Sequence, residues 1–524
     1  TQDSLLYATD FSSGASNLRV YDSLNRLTNL NTLFPTSGLN PQRKILNQTF
    51  YYENVSGQRT TNLISSHYVG FNNSADQPLF THSYSYDANG NISSLSRLAD
   101  GQTSALSYQY DGLDQLIRVN DQEADITVLY SYDAGGNITS AKTYPYSLGE
   151  LSGSPLSEKS YSYASSGWKD LLINFNGDDI LYDEIGNPLQ YRDGMAFAWQ
   201  YGRQLASVSQ GSNAYTYSYD ASGVRLAKTI NGSSYNYIYD NGVLLYADTP
   251  LGGMTFIYDN DSVIGYKYNS SYYFYLKNLQ GDILGAVDAS GNLLYQYRYD
   301  AWGVPAVLDA QGNPISPDSA HIANANPLRY RGYFFDSETG FYYLLSRYYD
   351  PETGRFINAD KDTVLNMDYE NIVQYNLFAY CFNNPINMVD DGGYWPTWLK
   401  KAVAVVAVAA VVITATVVTV STFGAGSVAG VAMISATANM AIKTAEVATL
   451  QVKKGLNEGK NASQIAKDCA EAIYDNGRQI IGLTPATKAA GIGAQHILNK
   501  KVAEIFDEKA TIAGTLRGTA KGAL

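Results

Sequence analysis

Along most of the first 300 residues, tyrosines alternate with small polar side chains and run straight into an aspartate and a glycine-containing turn. The clearest copies are YSYDANGN at Tyr84–Asn91, YQYDGLDQL from Tyr108, YSYDAGGN at Tyr130–Asn137 and YSYDASGV at Tyr217–Val224. ILYDEIGN, YIYDNGVL, FIYDND and YRYDAWGV carry the pattern on to Val304, at a spacing of roughly 20 to 45 residues. Period-two alternation puts both rings of Y-x-Y on one face of a strand, and Asp-x-x-Gly supplies a turn-initiating carboxylate and a residue tolerant of positive φ. Each unit therefore predicts one β-hairpin. A lone hairpin cannot bury its face, so the units must stack into a continuous sheet with laddered tyrosines, each hydroxyl reaching water or a neighbour's backbone. On this reading the tyrosines are structural, a sugar-binding aromatic platform being their other use. Asp87, Asp133, Asp183, Asp220 and Asp300 are turn formers.

The pattern stops near residue 395. After Tyr394-Trp395-Pro396-Thr397-Trp398 and a pair of lysines comes an uncharged Val- and Ala-rich run from Ala402 to Phe423, long enough to span a bilayer at ~1.5 Å per residue. The flanking tryptophans and lysines suit an interfacial anchor. Thr414, Thr416, Thr419 and Ser421 dilute its far half, and a helix buried in a soluble fold is the competing reading. Helical spacing returns at 462–476 and 494–508, predicting a small α-helical C-terminal domain.

Composition sharpens the division. Tyrosine supplies 45 residues, and all but Tyr474 precede position 395. Residues 395–524 hold 14 Lys+Arg and 8 Asp+Glu, a net of +6, which leaves −19 on the first 394. An acidic body argues against nucleic acid as a partner of that part, since phosphate binding needs a basic face. With only Cys381 and Cys469 there is no disulfide framework, and four scattered histidines give no metal-ligand spacing, so no metal or cofactor is expected. The opening TQDSLLYATD has no secretion-signal pattern and reads as the interior of a longer product. The tail shows no phosphate loop, metal pair or catalytic triad spacing.

The repeats resemble the tyrosine/aspartate (YD) repeats of RHS proteins, insecticidal toxin-complex C components, bacterial wall-associated toxins and the teneurin shell. The most specific stretch is YFYLKNLQGDILGAVDASGNLLYQYRYDAWG at Tyr273–Gly303, then NPLRYRGYFFDSETGFYYLLSRYYDPETGRFINAD at Asn326–Asp360 and NLFAYCFNNPINMVDDGGY at Asn376–Tyr394. That order of motifs is similar to an RHS repeat-associated core. The resemblance implies a mainly β fold: shell strands at 1–79, a YD-repeat shell at 80–304, an inward plug at 305–394 and a variable helical domain at 395–524.

The resemblance also implies chemistry. In relatives that cut themselves, the plug acts as an aspartyl protease that releases the C-terminal domain inside the shell. Arg347 matches the arginine of the R-Y-Y-D segment, Asp360 the first acidic residue, and Asp390 the aspartate that opens the D-P-x-G-L cleavage motif. The cut would then fall between Tyr394 and Trp395. Two carboxylates sharing a proton can divide the work, one activating water and the other protonating or polarising the scissile carbonyl, with arginine keeping one carboxylate ionised or orienting it. This chain departs from the pattern: Asp391 replaces the motif proline, Tyr394 its leucine, and Lys361 the proline after Asp360. Losing the proline removes a φ constraint on the scissile segment. Asp336 and Asp350, in twin D-x-E-T-G segments, read as turn residues. The implied partners are the chain's own tail as cargo and an immunity protein, with export from the producing cell. The alternative is a cell-surface adhesin that binds glycans or proteins and is anchored by 402–423.

Overall fold

The computed structural model describes residues 6–393 apart from 11–14, 23, 25, 35–43, 56–58, 73–77, 100, 241, 260–261, 361–375 and 391. All of these belong to one compact unit, Thr1–Pro396. Tyr394, Trp395, the run 402–423 and both expected helices lie outside the described residues. Among the described residues no helix is long and apolar enough to cross a membrane.

The molecule is mainly β, as the alternation predicts. Strands β1 (Leu6–Asp10) to β14 (Asp178–Asp179) form one 14-stranded sheet, and β15 (Leu181–Tyr182) to β28 (Pro305–Asp309) form a second; strand order follows chain order in both. Neighbours are antiparallel hairpins, and the hairpin between β6 (Pro78–Tyr86) and β7 (Ile92–Ala99) shows why the motif recurs. Asp87 Oδ1 accepts the N–H groups of Asn89 and Asn91 at 2.9 Å each, while Oδ2 accepts the Asn91 side-chain amide at 3.2 Å. Gly90, at φ 87°, takes the left-handed position that closes the turn. The same carboxylate geometry recurs at Asp111, Asp133 and Asp183.

The second tyrosine of several Y-x-Y units ties one repeat to the one before. Tyr86, Tyr110, Tyr132 and Tyr163 donate their hydroxyls to the carbonyls of Ile64, Ile92, Leu116 and Ile138 at 2.7, 2.7, 2.6 and 2.8 Å. The hydroxyl reaches a neighbour's backbone, and burial pushes the Tyr86 phenol up to about 12. Such a hydroxyl remains a donor across any physiological pH, so the tie is permanent.

Four short strands, β29 (Phe334–Asp336), β30 (Phe341–Tyr343), β31 (Tyr348–Asp350) and β32 (Arg355–Phe356), form a separate sheet between the two large ones. Its side chains join both cores: Phe341, Tyr343 and Tyr348 pack with Tyr191, Tyr217 and Tyr237 of the second sheet, and Tyr342 and Tyr349 with Ile138 of the first. The large sheets also meet directly, where Phe34 stacks on Phe274 with centroids 4.1 Å apart. Tyr342 and Tyr349 are fully buried, as a plug requires. Space remains beside it, a cavity of about 230 Å³ lined by residues that include Arg97, Tyr130, Lys159 and Asp300.

Candidate functional site

The turn between β30 and β31 builds the site. Leu345 sits at φ 61°, the Leu344 N–H donates to the Arg347 carbonyl at 2.9 Å, and the Ser346 N–H to the Leu344 carbonyl at 2.6 Å. This tight reversal holds Ser346 and Arg347 side by side. The Arg347 guanidinium lies over the Phe356 ring, 3.5 Å from its centroid, and each of its nitrogens has an acceptor. Nε donates to the Gly393 carbonyl at 2.5 Å and Nη1 to the Leu377 carbonyl at 3.0 Å. Nη2 meets Asp360 Oδ2 at 3.0 Å and Asp390 Oδ2 at 3.5 Å.

The three residues named from sequence therefore converge on one nitrogen, although 361–375 separates the two aspartates. All three are buried, with relative exposures of 6 % for Arg347, 4 % for Asp360 and 2 % for Asp390. Backbone pairing brings the far ends together: the Asp360 N–H donates to the Leu377 carbonyl at 3.0 Å. Asp390 splits its oxygens, Oδ1 accepting the Gly393 N–H at 2.8 Å and Oδ2 facing Arg347. Its own N–H donates to the Tyr333 hydroxyl at 2.9 Å. Burial first, then the neighbouring Cys381 and Asp390, hold the Tyr333 phenol well above its usual range, so it stays protonated beside the carboxylate. Two buried carboxylates thus meet one guanidinium nitrogen, and a carboxylate pair held near one another is the arrangement in which a proton can be shared.

Two sets of contacts dock the plug. On the second sheet, Arg225 grips Asp336 with bonds of 2.6 and 3.0 Å, Lys228 bridges Asp336 and Glu338 at 2.8 Å each, and Arg192 grips Asp350 at 2.8 and 3.0 Å. Asp336 and Asp350 are turn residues, as the spacing predicts: the Asp336 carbonyl accepts the Gly340 N–H at 2.8 Å and the Asp350 carbonyl the Gly354 N–H at 2.9 Å. They are also the plug's ionic anchors. On the first sheet, asparagines of the last core segment meet the i+4 residues of three successive repeat turns. Asn384 bonds Asn91 at 3.0 Å, Asn383 bonds Gln115 at 2.8 Å, and Asn376 bonds Asn137 at 2.7 Å.

The teneurin YD-shell family model matches residues 19–386, about seven-tenths of the chain. The chain belongs to that family. Its similar relatives include a tRNA3(Ser)-specific nuclease WapA from Bacillus spizizenii, 36% identical over 245 residues, which cover 45% of this chain and 10% of the relative. The toxin subunit YenC1 of Yersinia entomophaga is 24% identical over 386 residues, covering 61% of this chain and 37% of that one. The chain thus spans about a tenth of the length of the nuclease relative. Among solved structures, the Photorhabdus luminescens Tc holotoxin pore bearing TccC3-D651A aligns with a TM-score of 0.55 at 18% identity, over 74% of this chain and 21% of that chain. TcdB2-TccC3-Cdc42 aligns at 0.52 and 17% identity, over 73% and 21%. These likenesses show a common fold.

Within this YD-shell, sequence reasoning passed over Ser346, Tyr333 and the anchoring residues Arg192, Arg225 and Lys228. A cation on the inward face of an acidic body was the available signal for the last three. The asparagine-rich run NLFAYCFNNPIN was a signal for the amide row along the turns. Nothing local to Ser346 marks it.

Proposed function

We propose that this YD-shell carries a C-terminal toxin segment and cuts itself free of it. In this reading the shell is 80–304 with strands at 1–79 before it, the plug is 305–394, and the cargo is 395–524. The observation that carries it is that Asp360 and Asp390 meet the same Arg347 nitrogen while Arg347 Nε also holds the Gly393 carbonyl, one residue before the expected junction. One carboxylate takes a proton from water as its oxygen adds to the Tyr394 carbonyl carbon. The other carboxyl protonates the departing Trp395 nitrogen as the C–N bond breaks. Arg347 keeps one carboxylate ionised and holds the pair in register. The toxin names among the relatives support a toxic cargo, and a cognate immunity protein is then the partner that the producing cell needs. Such a carrier acts outside that cell.

A cut but sequestered tail predicts a particular pair of results. Size-exclusion of the purified chain under native conditions gives one peak containing both pieces, and denaturant separates them. A tail that elutes on its own under native conditions, or a chain that remains one piece in denaturant, contradicts the proposal.

A further inference from the structure

The chain lacks the proline that would hold the segment before the junction, and Asp391 stands in its place. Something else must fix the direction in which the chain passes the carboxylates. The Ser346 hydroxyl lies 2.7 Å from the Gly392 carbonyl oxygen and 2.9 Å from that of Gly393, a bifurcated donor across two consecutive peptide units. The Gly393 oxygen also accepts from Arg347 Nε, and the Gly393 N–H is held by Asp390 Oδ1. Both polar groups of residue 393 are therefore engaged, by three side chains of the same site.

Steric fit enforces the same path. Gly393 has φ 73°, and a Cβ there would stand 2.6 Å from Ser346 Oγ and 2.9 Å from the Leu344 carbonyl oxygen. The segment runs so close to the β30–β31 turn that only a glycine passes. Ser346 adjoins Arg347 on that turn, so the group that clamps the chain and the group that organises the carboxylates are one rigid piece.

We infer that Ser346 is a positioning residue for the self-cut, holding the 392–393 segment against the Arg347 turn in place of the missing proline constraint; this rests on the proposed function. Ser346 orients and does not attack. Its Oγ donates to carbonyl oxygens, and among the described residues no base is hydrogen-bonded to it. Losing such a donor misplaces the scissile bond relative to the carboxylates, and a misplacement of ~1 Å costs on the order of 100-fold in rate.

The test is the rate at which the tail fragment appears after cell-free synthesis of the full chain, by pulse-chase, across pH 5–8. Ser346→Ala slows the cut by ~10- to ~100-fold and leaves the shape of the pH–rate profile unchanged, because the titrating groups stay in place. Ser346→Thr, which keeps the hydroxyl, and the double variant Ser346→Ala/Asp391→Pro, which restores the backbone constraint, both recover most of the rate. Thermal melting of each variant separates slowed cutting from misfolding. A wild type that cuts alongside a Ser346→Ala that cuts equally fast overturns the role of Ser346 alone, as does a slow Ser346→Ala that neither second variant rescues. A wild type that never cuts overturns the self-cleavage reading and this inference with it.

Discussion

Arg225 and Asp336 are joined by two hydrogen bonds of 2.6 and 3.0 Å, with neither side chain exposed at all. Arg225 comes from the second large sheet and Asp336 from the end of β29, so the pair pins the plug to the shell wall. The guanidinium also sits against the rings of Phe334 and Tyr343, at 4.7 and 4.4 Å. Desolvation opposes both charges, and each persists because the other is present: the Asp336 carboxyl is held below its usual range by Arg225 and Lys228 despite its burial.

Breaking that pair from one side is therefore expensive. Asp336→Ala leaves Arg225 and Lys228 buried without their shared acceptor and is expected to destabilise the chain by ~3–5 kcal/mol, read as a lower urea midpoint. Arg225→Met/Asp336→Leu removes both charges and should regain most of the loss. Asp350→Ala should cost less, because Arg192 keeps its contact with Asp193 at the rim. A double variant as unstable as Asp336→Ala alone would contradict this account of the anchor.

The buried histidines set an acid limit on the shell. His67 and His82 are cross-strand partners between β5 (Arg59–Phe71) and β6, both about 1 % exposed. Burial lowers His67 to about 4; burial, then the charge of Arg97, then His67 hold His82 well below its usual value. Between pH ~6.5 and ~4 the unfolded chain binds protons at these positions that the folded chain does not, so stability rises with pH across that window and is lost as pH falls. The His67 share is on the order of 3 kcal/mol. His67→Phe should flatten the difference in stability between pH 6.5 and 4, measured as urea midpoints on wild type and variant together. An unchanged slope would remove His67 from the explanation.

Contacts between the core asparagines and the repeat turns should govern the last plug segment locally. Asn383→Ala strands the Gln115 side-chain oxygen and the Gly136 carbonyl, which it now bonds at 2.8 and 2.6 Å. A loss of ~1–3 kcal/mol is expected, and hydrogen exchange should speed up at 376–390 before it does at the plug strands. Uniform acceleration across the chain would mean that this segment is not held separately.

Gly393→Ala should stop or strongly slow the cut while lowering the melting temperature by only a few degrees, since a left-handed alanine adds ~1–3 kcal/mol of strain and its Cβ would crowd Ser346 Oγ and the Leu344 carbonyl oxygen. Normal cutting in this variant would show that the path beside Ser346 is not required.

How far the sequence carried this picture depends on the range of the contacts involved. The hairpins were legible because Asp87, Gly90 and Asn91 interact within five residues, and one turn repeats many times. The plug anchors were not, because Arg225 and Asp336 lie 111 positions apart and Arg192 and Asp350 158, with no pattern linking them. Arg347, Asp360 and Asp390 were reached through family resemblance; spacing alone would not have joined them across the 30 residues between the two aspartates. Ser346 escaped because its role rests on the path of a backbone 46 residues away. The apolar run 402–423 lies outside the described residues, so its two readings stand as the sequence left them.

The central claim is that Arg347, Asp360 and Asp390 form a working protease, and intact-mass measurement of the purified chain beside Asp360→Asn and Asp390→Asn variants tests it most directly. The account predicts a fragment that begins at Trp395 in the wild type and a single full-length mass in both variants. One full-length mass in all three proteins, or the same fragment in all three, would contradict it and leave the buried triad as a structural lock on the plug.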